Sequence, residues 1–280
     1  MYLGVNIPTD FNKLWYEGMK DEEGNFPSRA KEDSIEKSFW KDFIGKRKNY
    51  EEDKFIFPLK EEILKLVNKE DNVLEIGPGW GNYTFDIARK VEEISCIDIS
   101  KDILEYIKKG CIEKELPKVK GIEGKFEDYS FQEKYDVVFG VNCYYRMRDI
   151  KEVIKKINNL SKRICIMGFT SGPDKPHYLE LNNKFGYRIN SPRRDYISIY
   201  NLLYSLNIYG NIKIVDLKKD YVYDSYNEAL KDNTSNVLSK YNIEEVKEIL
   251  DKYLVYENDK VIYTHNFKGV LIYWNVKKEL

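Results

Sequence analysis

The stretch Val73-Leu-Glu-Ile-Gly-Pro-Gly-Trp-Gly-Asn-Tyr-Thr84 carries the reading of this chain. Residues 72–76 form a short, mostly apolar run with the character of a buried strand. An amphipathic segment at 83–91 has helical spacing. Between them, glycines at 77, 79 and 81 allow a sharp turn and let a ligand approach backbone with no side chain in the way. A Gly-rich turn that ends a strand and opens a helix belongs at the carboxyl edge of an open α/β sheet, where such sheets bind ligands.

Working outward, residues 93–99 form a second strand, and Asp98 at its end lies about 20 residues beyond the turn, where a carboxylate can accept ribose hydroxyls. Ser100 is placed to cap a helix over 101–109, with Ile103, Leu104 and Ile107 on one face and Gly110 closing it. Strands follow at 118–123, 135–141 and 164–169, with an amphipathic helix at 149–160. Apolar strands alternating with helices predict a parallel sheet covered on both faces, joined by right-handed crossovers. After a loop at 171–176, helices are expected at 178–185, 196–206, 226–231 and 243–253. Strands are expected at 211–215, with a possible continuation through 221–223, and at 269–274, one of the two antiparallel. Before the core, helices are expected near 11–19, 32–45 and 59–67, with a polar joint at Asp21-Glu-Glu-Gly-Asn25.

A nicotinamide fingerprint requires glycine at 82, where this chain has Asn82, and Glu75 is poorly placed beside a pyrophosphate. A phosphate-free, cationic nucleoside suits the turn better. Glu75-x-Gly77-x-Gly79-x-Gly81, Asp98, and Asp136 opening the fourth strand resemble the motifs of class I S-adenosylmethionine-dependent methyltransferases over about residues 71–169. The resemblance implies an α/β, Rossmann-like, seven-stranded, mostly parallel sheet with helices on both faces. It divides the chain into a helical lid (1–58) and a methyltransferase domain (59–280), with a cofactor-binding core at 72–170 and helical substrate-side elaborations at 171–262.

S-adenosylmethionine is then the expected cofactor and S-adenosylhomocysteine the product. The glycines would surround the methionine part, Glu75 would shape a polar floor, Asp98 would bind the ribose and Ile99 would pack on adenine. In Gly124-Lys-Phe-Glu-Asp128, Lys125 stands where the family often has an acid, so Glu127, Asp128 or the Phe126 backbone reads the adenine amino group. Asn142 would line the sulfonium end. Arg146 aligns where many small-molecule members carry histidine, and arginine stays protonated, which disfavours a histidine-type base route. Asn142-Cys-Tyr-Tyr145 resembles the Asn-Pro-Pro-Tyr motif of enzymes that methylate nucleic acid bases, but lacks both prolines.

The expected acceptor is a small molecule methylated on N, O or S, with Trp15, Tyr144, Tyr145, Arg146 and Arg193 as candidate contacts. No catalytic residue and no metal ligand set is identified. His177 is read either as a pocket residue or as an exposed loop residue, and His265 as structural. Arg193 and Arg194 are read as an anion clamp or a solvated pair.

Composition agrees with a small-molecule enzyme. Lys+Arg 46 against Asp+Glu 47 gives a net charge of -1 over 280 residues, so no global field recruits RNA or an anionic membrane. No apolar run reaches the roughly 20 residues that span a bilayer. Residues 1–8 make a poor signal peptide, and the four cysteines show no C-x-x-C spacing. A cytoplasmic location is expected. Nucleic acid and membrane partners are not, and oligomeric state is not legible.

Overall fold

The computed structural model describes residues 9–21, 23–47, 49–117, 119–190 and 196–277. In chain order the elements are α1 (Phe11–Glu17), α2 (Ser28–Lys31), α3 (Asp33–Gly45), α4 (Phe57–Leu66), β1 (Asn72–Ile76), α5 (Thr84–Lys90), β2 (Glu93–Asp98), α6 (Lys101–Glu113), β3 (Lys120–Glu123) and β4 (Tyr135–Val141). They continue with α7 (Ile150–Leu160), β5 (Ser161–Ser171), α8 (Pro176–Phe185), α9 (Tyr196–Ser205), β6 (Asn211–Tyr223), α10 (Tyr226–Thr234), α11 (Ile243–Leu250), β7 (Leu254–Glu257) and β8 (Lys260–Asn275).

The sheet runs β3-β2-β1-β4-β5-β8-β6, with β7 paired to β8. Strands β1 to β5 pair in parallel, and β8 runs antiparallel to both β5 and β6. The chain steps outward from β1 to β3 and then crosses back to β4. The carboxyl ends of β1 and β4 therefore flank a topological switch point, where a crevice opens.

Period-two alternation sorts the strand residues between two apolar layers. Leu74, Ile76, Val138, Cys165 and Met167 face α7, α9 and α1, while Val73, Ile94, Val137, Phe139 and Ile166 face α4 and α5. Both faces are covered, which is why β1, β4 and β5 read as continuous apolar runs.

The sheet has eight strands where seven were expected. The extra one, β7, forms a hairpin with β8 through Asn258 and Asp259, both at positive φ. Asn and Asp tolerate the left-handed conformation that a two-residue hairpin turn demands. β6 takes in the possible continuation through 221–223, and β8 begins well before the expected 269–274. They are paired over 13 residues, Asn211–Tyr223.

Several local expectations need correction. The Ser100 hydroxyl makes no capping bond, and the Asp98 carboxylate instead accepts the Ser100 backbone N–H at 2.7 Å. Gly110 lies inside α6, where a β-carbon would come within 2.6 Å of the Phe85 ring and 2.7 Å of Tyr50, so it serves close packing. In the polar joint, the Asp21 carboxylate accepts the Asn25 N–H at 2.7 Å.

His177 is neither exposed nor in a substrate pocket. It is buried in α8, with Nδ1 2.7 Å from the Tyr263 hydroxyl and Nε2 3.1 Å from the Asn233 carbonyl, and burial pushes its pKa down to about 4. His265 Nε2 lies 2.9 Å from the Pro173 carbonyl. Among the described residues, no helix is long and apolar enough to cross a membrane.

Candidate active site

The switch point opens into a cleft lined by the loop after β1, by Asp98 and Ile99 after β2, by residues 124–127 after β3 and by residues 141–143 after β4. Because these strands are parallel, their carboxyl ends deliver all four segments to one edge. Helix α3 closes the cleft from outside with Glu36 and Trp40.

The loop after β1 is held by its glycines in different ways. Gly77 has φ +61°, donates its N–H to the Ile97 carbonyl at 2.9 Å, and would place a β-carbon 2.6 Å from Cβ of Cys143. Gly79, at φ +56°, would place a β-carbon 3.8 Å from the tip of the Trp40 ring. Gly81 is off the cleft wall, and a β-carbon there would enter the Phe85 ring, so it seats the loop on α5.

Glu75 lies beneath the loop and is 2% exposed. It accepts the Thr84 hydroxyl at 2.6 Å, and burial pushes its pKa up to about 8. It ties β1 to the start of α5, in surroundings that disfavour its charged form.

Asp98 stands in the wall. Burial pushes its pKa up to about 7, with the nearby Glu36 charge adding to the shift and Arg146 opposing it. Phe126 is buried beside Glu127, and both line the cleft. Asn142 ends β4 at φ +54°, and its Oδ1 accepts the Thr170 N–H at 2.8 Å.

Tyr145 and Arg146 follow in a short 3-10 turn, Tyr144–Arg146, and both reach the cleft. The Tyr145 hydroxyl donates to Glu36, and burial holds its pKa well above the usual phenol range. Arg146 donates to Asp33 of α3 at 2.5 Å.

Gly77, Gly79, Asp98, Ile99, Phe126, Glu127, Asn142, Tyr145 and Arg146 thus meet in one cleft. Two expected acceptor contacts do not. Trp15 is 3% exposed and donates its indole N–H to the Met147 carbonyl at 2.8 Å. Tyr144 is 1% exposed and donates to the Gly140 carbonyl at 3.0 Å. Each buries its ring in the apolar layer shared with α7 and uses its polar end on backbone, the usual solution for a buried Trp or Tyr. Arg193, with Arg194, lies outside the described residues.

Glu36 was missed by sequence reading. It is 1% exposed, yet it accepts from Arg29 Nε at 2.8 Å, from the Trp40 indole at 2.7 Å and from Tyr145. A buried carboxylate is stable only with such donors. Spacing on one helix links Glu36 to Trp40, but nothing in the sequence pairs it with Tyr145.

The Asp98 shift carries a pH dependence. A carboxylate accepts hydroxyl donors better than a neutral acid, so a ribose bound there stabilises the ionised form and lowers its pKa from about 7. Affinity for S-adenosylhomocysteine should rise with pH up to about 7 and level off above it. In Asp98→Asn the rise should vanish, and calorimetry at stepped pH checks it.

Residues 73–163 match the family described as "Methyltransferase domain". Among curated proteins, the chain is 24% identical over 224 residues to ribosomal RNA small subunit methyltransferase A of Fusobacterium nucleatum, covering 71% of this chain and 84% of that protein. The Mycoplasma mobile protein of the same name is 24% identical over 220 residues, covering 69% and 84%. Among solved structures, the YcgJ protein of Bacillus subtilis aligns with a TM-score of 0.51 at 17% identity, over 78% of this chain and 98% of that one. The N-methyltransferase NodS of Bradyrhizobium japonicum, in complex with S-adenosyl-L-homocysteine, aligns with a TM-score of 0.50 at 12% identity, over 86% and 98%.

Proposed function

We propose, for a chain that belongs to the class I S-adenosylmethionine-dependent methyltransferases, that the acceptor is a small molecule methylated on N, O or S. The observation that carries this reading is the position of α3. Glu36 ties that helix to Arg29, Trp40 and Tyr145, and Trp40 stands over Gly79, so the chain's own residues cover the crevice. A covered cleft suits a ligand that is enclosed. The balanced charge adds no attraction for a polyanion.

The cleft residues fit the cofactor. Gly77 and Gly79 leave a cradle that β-carbons would fill, and the buried Trp80 indole nitrogen in the wall has no partner among the described residues. Asp98 would hold the ribose, Ile99 and Phe126 would flank adenine with Glu127 at its edge, and Asn142 would border the sulfonium end. S-adenosylmethionine supplies an activated methyl group on a good leaving sulfur. What remains for the protein is to align the acceptor atom and exclude water. Helix α3 would act as the cover, and Tyr145, kept protonated and bonded to Glu36, would shape the acceptor side without serving as a base.

A second reading has specific support. The curated relatives are named as ribosomal RNA methyltransferases, and Asn142 and Tyr145 keep the outer positions of the base-methylating motif. One experiment separates the two readings. S-adenosylhomocysteine release is measured across a metabolite library and, in parallel, with small ribosomal subunits and radiolabelled cofactor. Release with a small molecule and no label in RNA is expected, whereas labelled ribosomal RNA with a silent library would reverse the choice.

A further inference from the structure

Lys125 and Arg146 reach Asp33, at the first turn of α3, from two different loops. Lys125 Nζ lies 2.8 Å from one Asp33 oxygen and Arg146 Nη2 lies 2.5 Å from the other. Burial opposes ionisation of Asp33, and the two cations outweigh it, holding its carboxyl below the usual carboxylate range. Both cations line the cofactor cleft and also a second, larger groove outside it, which adds Lys31, Arg148 and the acids Asp128 and Asp149. They therefore stand where the groove opens into the cleft.

The pair is incompletely used. The Arg146 side chain is only 14% exposed, and among the described residues its buried Nε has no acceptor. A guanidinium engages a carboxylate or phosphate best through two parallel N–H donors. Asp33 takes Nη2 alone. An anion that took Nε and Nη2 together, with Lys125 beside them, would satisfy a donor that Asp33 leaves unpaired.

We propose that Lys125 and Arg146 form the anion-recognition site of the acceptor, taking a carboxylate or phosphate group of a small molecule, with Asp33 as an internal carboxylate that the substrate displaces. This rests on the cleft being a small-molecule methyl-transfer site and adds the charge class of the acceptor. It also links acceptor binding to α3, because the displaced group is on the covering helix. Neutral molecules gain nothing at the pair, since Asp33 already satisfies most of it.

The test uses the full chain and inorganic phosphate as the probe, titrated by calorimetry at constant ionic strength with chloride as the balancing salt. Asp33→Asn removes the competing charge, so phosphate should bind it roughly tenfold or more tightly than it binds the parent chain. Arg146→Gln, shown folded by circular dichroism, should lose saturable binding, and Lys125→Gln should weaken it. Equal phosphate affinity in the parent and Asp33→Asn would overturn the proposal, as would undiminished binding in Arg146→Gln.

A short single-stranded RNA at matched phosphate concentration is the third arm. RNA binding that exceeds phosphate binding and disappears in Arg146→Gln would assign the pair to nucleic acid and overturn the small-molecule assignment. Phosphate binding as expected, beside a silent metabolite library, would reject the proposed function and leave the anion site standing.

Discussion

Gly77→Val is expected to leave a chain that no longer binds S-adenosylmethionine at useful concentrations. At φ +61° an L side chain is strained wherever it points. Here the first added carbon would also lie 2.6 Å from Cβ of Cys143, in the segment that follows β4. That segment cannot retreat easily, because the Cys143 sulfur already crowds Gly140, where a β-carbon would lie 2.6 Å from it. The valine therefore forces apart two loops that both line the cleft. Backbone strain and overpacking each cost about 1–3 kcal/mol, and together they imply a loss of affinity of roughly a hundredfold or more if borne by the bound state. Calorimetry on variant protein with a normal circular dichroism spectrum reads the effect. Gly79→Val shares the φ strain but meets only the tip of Trp40 at 3.8 Å, so it should act by filling the cleft. Unchanged affinity in Gly77→Val would mean that the ligand does not depend on this loop.

Trp15→Ala should bring the largest loss of stability, about 3–5 kcal/mol, because it empties a fully enclosed site and orphans the Met147 carbonyl. Trp15 and Met19 share one apolar layer with Leu74, Ile76 and α7, so they are load on the central sheet and not part of a removable cover. A chain starting near Lys54 should accordingly fail to fold stably. Trp40→Ala provides the contrast. Its ring packs on Phe43 and Trp80 at the cleft mouth, so turnover should suffer more than the melting temperature. Thermal denaturation of both variants checks this. An unchanged melting point for Trp15→Ala with impaired methyl transfer would return Trp15 to the acceptor site.

The nucleotide-binding half was legible because its signals are local. Strand, glycine turn and helix follow one another within a dozen residues, and Asp98 sits at a strand end that apolar patterning locates unaided. The acceptor side was not, because its contacts join residues distant in sequence. Glu36 meets Tyr145 across 109 positions, and Trp15 meets Met147 across 132. The resemblance implied a lid over residues 1–58, but tertiary packing divides its helices, placing α1 on the core and α3 over the cleft. Tyr144 and Tyr145 are adjacent, yet one turn of 3-10 helix sends the first into the interior and the second to the cleft wall. The β7 hairpin was marked by Asn258-Asp259, a turn signal without the usual glycine. His177 misled because a loop-flanking histidine gives no hint of Tyr263 and Asn233 waiting for it in the interior.

The most direct measurement is calorimetric titration of S-adenosylmethionine into the parent chain and Asp98→Ala above pH 7, where the carboxyl is ionised. Among the described residues the Asp98 carboxylate bonds only the Ser100 N–H, so the variant should melt near the parent. Loss of ribose hydrogen bonds worth about 1–3 kcal/mol each should weaken binding roughly tenfold or more. Single-site binding by the parent with that loss in the variant is the expected result. Equal affinity in the two proteins would contradict binding at this cleft.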